Sequence, residues 1–340
     1  MVYVINLTTV RKAYDLWTLM FPTIKPYYAV KCCPDPRVIE TLAACGSGFD
    51  CASPAEVKLV GDAPVIYANP CKNPQDLEEC YRLGVGITTF DSVSELHKLC
   101  RLAPNMELVL RIKADDPLAK CPMGNKFGAE PHEWVVLAHE ARRLHLTIIG
   151  VSFHVGSFAQ SPDAHAHAIS KARHAFDVLR VCGHSPWLLD IGGGFSSETL
   201  ESMHPACAAI NEAIIKYGFT DVIAEPGRFF VEHAVELHTT IIGTKDNSVT
   251  IDDSLYGAFN CILMDHAHPV PISDKYCTPH TVFGCTCDGS DVIGKKIPIP
   301  VNSRVGDVLI WPRMGAYTLA ATTNFNGLGF NKKKIMYTTE

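Results

Sequence analysis

WLLDIGGGF, residues 187–195, is a short apolar run that ends on Asp190 and breaks into three consecutive glycines. An apolar run of this length bounded by a turn signal reads as a buried strand. VIAEPGRFF at 222–230 repeats the plan, with Glu225, Gly227 and Arg228 where the strand would end. Working back, the same kind of run recurs as PYYAVKC (26–32), GFDCAS (48–53), VIYANP (65–70), GITTFDS (86–92), LVLRIK (108–113) and TIIGVSFHVGS (147–157), eight runs in all. Between them lie segments such as DLEECYRLG and EWVVLAHEARRLHL, whose apolar residues return at helical steps. A further helix precedes the first run, with Thr8 or Thr9 as its cap and Val10, Ala13, Tyr14, Trp17 and Met20 on one face. Eight strands alternating with helices is the layout of a (β/α)8 barrel, a doubly wound open sheet being the alternative.

The rhythm changes near residue 235, after which ELHTTIIGTK, SVTIDD, HTVFGCTC, KKIPIPV and DVLIWP are strand-like runs separated by Pro, Gly and Asp. The expected class is therefore α/β, with a barrel over residues 6–234 and a β-sheet domain over 235–340 together with 1–5.

Composition narrows the function. The chain has 340 residues, 47% of them hydrophobic, and a net charge of −6 with its cations scattered. It offers no basic stripe for nucleic acid and no polybasic segment for a membrane. The N-terminus has no secretory pattern, and no segment is apolar for a bilayer's thickness, so a cytoplasmic location is expected. The 14 cysteines run from Cys32 to Cys287 without C-x-x-C pairs, which favours reduced thiols over disulfides or zinc. His165 with His167 and His266 with His268 stand two apart without companion thiolates, so no metal is expected.

Barrels build active sites at the C-terminal ends of their strands. Each run carries a polar residue there: Lys31, Asp50, Asn69, Asp91, Arg111, His154, Asp190 and Glu225 with Arg228. The loops after strands seven and eight are where barrels hold phosphate. Here they supply glycine N–H groups without an obstructing Cβ and a guanidinium suited to bidentate contact. A phosphate site, a lysine closing the first strand and a carboxylate beside the phosphate-binding arginine suggest pyridoxal 5'-phosphate. That cofactor needs an amine for its Schiff base and a group that fixes the charge of its ring nitrogen. Glu225 suits the nitrogen, and His154 suits the ring face.

Along with PYYAVKC, GFDCAS, SFHVGS, LLDIGGGF and AEPGRFF, the stretches YGAFNCILMDHAH, GCTCDGSD and MGAYTLAATTNFNGLGF fall in order over nearly the whole chain. In these the sequence resembles the pyridoxal-phosphate-dependent ornithine/arginine/diaminopimelate decarboxylases, and among them the eukaryotic-type ornithine decarboxylases. The resemblance implies an alanine-racemase-like barrel with a C-terminal β-domain, and a head-to-tail homodimer with shared active sites. It implies Lys31 as the Schiff-base lysine, Glu225 at the pyridine nitrogen and His154 against the ring. Ser157, Gly193, Gly194, Gly227, Arg228 and Tyr317 would hold the phosphate, with Asp50, Glu56 and Arg111 lining the cofactor pocket.

For the substrate, a small basic amino acid, the resemblance implies that Asp265 and the partner subunit's Asp288 meet the distal amine. Met264, Tyr256 and Phe325 would line its path, and Cys287, also across the subunit interface, would donate the proton. L-Ornithine giving putrescine and CO2 for polyamine biosynthesis is the expected reaction. Arginine or lysine decarboxylation is the alternative, and an inactive antizyme-inhibitor-like homologue the more distant one, set against the presence of Lys31 and Cys287. Antizyme as a partner is left open.

The sequence departs from the family's pattern in places. Met264 stands where an aromatic is usual, Phe158 where glycine is usual and Cys33 where a small polar residue is usual, and GDAPVIYA at 61–68 implies a trimmed loop. Few residues precede the first helix and few follow Phe325, which suggests a compact member of the family.

Overall fold

The structure, a computed structural model, describes residues 1–114, 124–157, 159, 161, 163–196 and 200–339, without the side chains of 200–204. Phe158 lies outside them. The chain opens with β1 (Val2–Asn6) and α1 (Leu7–Met20). Asn6 caps this helix, its Oδ1 accepting the Thr9 N–H at 2.9 Å, so the cap lies ahead of both threonines, where the strand hands over to the helix.

Each of the eight apolar runs then forms a strand: β2 (Ile24–Ala29), β3 (Gly48–Cys51), β4 (Val65–Tyr67), β5 (Ile87–Phe90), β6 (Glu107–Arg111), β7 (Ile148–Ser152), β8 (Leu188–Asp190) and β9 (Asp221–Ala224). All pair in parallel, and β9 returns to β2 through Ile24 opposite Val222, closing the barrel. Parallel neighbours need a crossover, and helices supply it: α2 (Pro36–Cys45), α3 (Pro54–Val60), α4 (Pro74–Arg82), α5 (Val93–Leu102), α6 (Trp134–Arg143), α7 (Ala164–Val181) and α8 (Leu200–Tyr217). Ser53, Asn73 and Ser92 cap α3, α4 and α5 through side-chain oxygens, so these helices start where the sequence places short polar residues. Ile66, Val109, Ile149, Leu188 and Ile223, from five strands, form a buried cluster with Tyr27, Ala68 and Ile87 against it.

After the short α9 (Arg228–Val231) come β10 (Val235–Lys245), β11 (Ser248–Ile251), α10 (Cys261–Met264), β12 (Cys277–Phe283), β13 (Val292–Pro300), β14 (Val308–Trp311) and β15 (Lys334–Thr338). They form a sheet in the order β13-β12-β11-β10-β1-β15, with β14 also on β10. The runs at 236–245, 248–253, 280–287, 295–301 and 307–312 account for five of these strands, and β15 is an addition. The chain divides into a barrel unit, Ala13–Lys31 with Ile39–Phe229, and a sheet unit, Met1–Lys12, Cys32–Val38 and Phe230–Glu340. No helix among the described residues is long and apolar enough to cross a membrane.

Among the described residues the barrel unit buries one lysine completely. Lys72, 2% exposed, donates to the Asn69 carbonyl at 2.9 Å and the Thr89 carbonyl at 2.8 Å, and forms an ion pair with Glu95 Oε1 at 2.9 Å. Burial pulls its pKa down to about 8 against the pull of Glu95. Losing Lys72 leaves the buried Glu95 with the Lys98 amine at 2.5 Å as its remaining cation and deprives the Asn69 and Thr89 carbonyls of their donor. Breaking a buried charge cluster in this way is costly. Lys72→Met is therefore expected to cost about 3 kcal/mol, read as a lower urea midpoint at constant slope, and Lys72→Met with Glu95→Leu should recover much of it.

Candidate active site

Lys31 lies two residues past β2, in a 3-10 turn over Val30–Cys32, rather than on the strand itself. The strand's last barrel tie is the Ala29 N–H to the Pro226 carbonyl at 3.2 Å, and the turn that follows lifts the lysine clear of the ladder. Its Nζ pairs with Oδ2 of Asp50 on β3; the Asp50 side chain is wholly buried while that of Lys31 is 38% exposed, so the amine stays within reach of a ligand. Asp50 Oδ1 has no hydrogen-bond partner among the described residues.

Glu56 stands in the first turn of α3, where the Ser53 oxygen takes its N–H at 3.3 Å and its own Oε2 takes the Ala52 N–H at 2.6 Å. Burial pushes its carboxyl up, with the Ala52 N–H opposing. Arg111 ends β6 with its guanidinium 5.0 Å from the centre of the Phe127 ring. His154 follows β7 and accepts the Gly156 N–H on Nδ1 at 2.9 Å. Burial first, then the cations of Arg111 and Lys31, hold it well below the ordinary imidazole range. It is therefore neutral, with its proton on Nε2.

The loops after β8 and β9 interlock. The Glu225 N–H donates to the Gly192 carbonyl at 2.7 Å, and the Gly192 N–H to Asp190 Oδ1 at 2.9 Å. A Cβ on Gly193 would lie 2.9 Å from both the Glu225 carbonyl and His154 Nε2, and Gly194 has φ +99°. The second position has no room for a side chain, and the third has a backbone that favours glycine. Among the described residues neither the Gly193 nor the Gly194 N–H has a backbone acceptor. Gly227 and Arg228 are buried just beyond, and Ser157 is half-buried after β7.

Asp190, wholly buried, faces Glu225 within hydrogen-bonding reach. Two carboxylates cannot bond each other unless one keeps a proton. Burial raises both, Asp190 to about 6, and their mutual repulsion raises Glu225 further. The barrel unit thus brings together Lys31, Asp50, Glu56, Arg111, His154, Ser157, Gly193, Gly194, Glu225, Gly227 and Arg228 at the C-terminal ends of its strands.

The other expected residues belong to the sheet unit. Tyr256 donates its hydroxyl to Asp288 Oδ2 at 2.6 Å and stacks on Phe325 at 4.0 Å. The Ser290 N–H and hydroxyl bind Asp288 Oδ1 at 2.9 and 2.7 Å, and these donors, Tyr256 foremost, bring its pKa to about 2. Cys287 is exposed, its N–H bound to Asn326 Oδ1 at 3.2 Å. Met264 is 76% exposed at the end of α10, whereas the next residue, Asp265, is buried. Tyr317 sits at φ +56° with its N–H on the Cys32 carbonyl.

Sequence reasoning gave no role to Asp291. Buried in the sheet unit, it takes the Ser254 and Thr286 hydroxyls at 2.9 and 2.6 Å and the Leu255 N–H at 2.9 Å, tying the loop before Tyr256 to the residue before Cys287. Its place in GCTCDGSD was the available signal.

The sequence pattern of the family described as pyridoxal-dependent decarboxylase, pyridoxal binding domain, matches residues 7–232. The chain belongs to the pyridoxal-dependent decarboxylases. Among curated relatives, this decarboxylase is 41% identical over 363 residues to the chloroplastic ornithine decarboxylase of Nicotiana glauca, covering 98% of the chain and 82% of the relative. Among solved structures it matches the arginine decarboxylase of Paramecium bursaria Chlorella virus bound to agmatine, with a TM-score of 0.93, 37% identity and coverage of 99% and 95%. It also matches the lysine/ornithine decarboxylase of Vibrio vulnificus complexed with putrescine, with a TM-score of 0.89, 31% identity and coverage of 99% and 94%.

The residues of the decarboxylase fit pyridoxal phosphate. A reachable amine, a glycine pair whose N–H groups have no backbone acceptor among the described residues, a buried arginine after β9, and a buried acid pair whose carboxyls burial pushes up are the groups this cofactor asks for. A Gly193→Ala decarboxylase is expected to bind pyridoxal phosphate at least about tenfold more weakly, because the added methyl must push the Glu225 carbonyl or His154 aside. Absorbance titration of the stripped protein measures this.

Proposed function

We propose that the protein decarboxylates L-ornithine to putrescine and CO2, supplying a diamine for polyamine synthesis. The reading is carried by Asp265, a buried aspartate closing α10 in a chain 41% identical to an ornithine decarboxylase. Asp265 and Asp288 place two carboxylates at the disposal of a distal ammonium, and Met264, Tyr256 and Phe325 provide apolar surface for the stem between the amines.

Bound pyridoxal phosphate supplies the electron sink that lets the bond from Cα to the carboxylate break. Lys31 takes the cofactor on its amine, and Asp50 keeps that amine oriented. Glu225 fixes the charge of the ring nitrogen, and neutral His154 covers the ring and excludes water without adding a second cation. Ser157, Gly193, Gly194, Gly227, Arg228 and Tyr317 hold the phosphate, and Glu56 and Arg111 close the pocket. Cys287 delivers the proton to Cα. Its thiol is exposed on its own chain, which supports a homodimer in which Cys287 and Asp288 serve the other copy's barrel. The 13 cysteines among the described residues are free thiols, which supports a reducing compartment such as the cytoplasm.

Competition among ornithine, arginine and lysine tests the substrate. Ornithine should lead in kcat/KM by more than about tenfold. Faster CO2 release from arginine or lysine would replace this reading with the second one, which the exposed, unbranched Met264 favours by leaving room for a longer stem.

A further inference from the structure

His165 has no part in the reaction described above, and among the described residues no group of three metal-ligating side chains forms around it. It stands in the first turn of α7, 4% exposed, with its Nε2 3.0 Å from the Gly193 carbonyl. A carbonyl only accepts, so the imidazole Nε2 must carry the proton and donate. The ring lies nearly parallel to Phe195, at 4.7 Å and 30°. Phe195 in turn meets Trp17 edge-on at 4.9 Å and Phe21 at 5.5 Å, and Trp17 is fixed by its Nε1 donating to the Ile24 carbonyl at 3.0 Å. The histidine is therefore held by a rigid aromatic group that also clamps the residue following the glycines.

The Gly193 carbonyl and the Gly194 N–H belong to one peptide plane and point in opposite directions across it. Gly194, at φ +99°, lacks the Cβ that would limit how that plane turns. Fixing the carbonyl from one side aims the N–H at the other. We propose that His165 is a positioning residue that locks the Gly193–Gly194 peptide so that its N–H faces the cofactor's phosphate. The proposal rests on the reading of the glycine loop as the phosphate cradle.

A hydrogen bond that acts through the phosphate leaves a signature that general destabilisation lacks. In His165→Phe, which keeps the ring stack and loses the donor, the stripped protein should bind pyridoxal phosphate about tenfold more weakly and bind pyridoxal, which has no phosphate, as the wild type does. His165→Gln, which keeps an N–H donor, should recover most of the difference. The phosphorus NMR resonance of the bound cofactor should shift in His165→Phe. Equal losses for both ligands in either variant, or no loss in His165→Phe, would overturn the role assigned to His165. A wild-type protein that bound pyridoxal and its phosphate equally would overturn the phosphate cradle itself.

Discussion

Lys31→Arg leaves the protein folded and stops CO2 release from every basic amino acid, a fall of about 10³-fold or more. Arginine keeps the cation that Asp50 needs, because the Asp50 side chain is wholly buried and would otherwise be left without a counter-charge. A guanidinium stays protonated, so it cannot take a cofactor on its nitrogen. Lys31→Ala should be equally inactive and less stable, and the gap in denaturation midpoint between the two variants isolates the structural share of the ion pair. The absorbance of the covalently attached cofactor should vanish in both. More than a tenth of wild-type turnover in Lys31→Arg would remove Lys31 from the chemistry.

The second large effect concerns shared sites. Lys31→Ala and Cys287→Ala are each expected to be nearly silent alone, since one lacks the cofactor's amine and the other its proton donor. If each site takes Lys31 from one chain and Cys287 from the other, half of a random mixture is mixed dimers, and each of those has one intact site of two. Unfolding and refolding the two variants together should therefore restore about a quarter of wild-type activity. A mixture as inactive as its parents would place Lys31 and Cys287 in the same chain's site. The exposure of Cys287 agrees with the shared arrangement, because a thiol that must hand over a proton away from water needs a cover its own chain does not give it.

The barrel was legible because each strand is a short apolar run stopped by a polar residue, and a run buried on both faces leaves that trace. The sheet unit was less so. β15, KIMYT, is largely exposed and follows two further lysines, and what makes it a strand is its pairing with β1, which begins 332 residues earlier. Local pattern cannot report a partner that distant.

The site divides the same way. Lys31, Glu225, Arg228 and the glycines announced themselves at strand ends. His165 did not, because its meaning depends on a carbonyl 28 residues away and on a stack with Phe195. Asp190 was visible as a strand-end acid, but its pairing with Glu225 is a product of the β8–β9 register, which sets Asp190 opposite Ile223. The cap at Asn6 was missed because an asparagine at the end of a strand reads as a strand residue until the fold shows the helix starting there.

The parallel ladder of β1 with β15 bears on how the protein is made. The ribosome delivers Lys334 332 residues after Val2, so one edge of β1 waits through the synthesis of the whole barrel for its neighbour. The barrel, whose pairs apart from the closing β9–β2 link join strands successive in sequence, can assemble as it emerges. The sheet cannot. Its open edge is a template for strands of other chains, which makes the nascent sheet unit, and not the barrel, the place where misassembly begins when many copies are made at once.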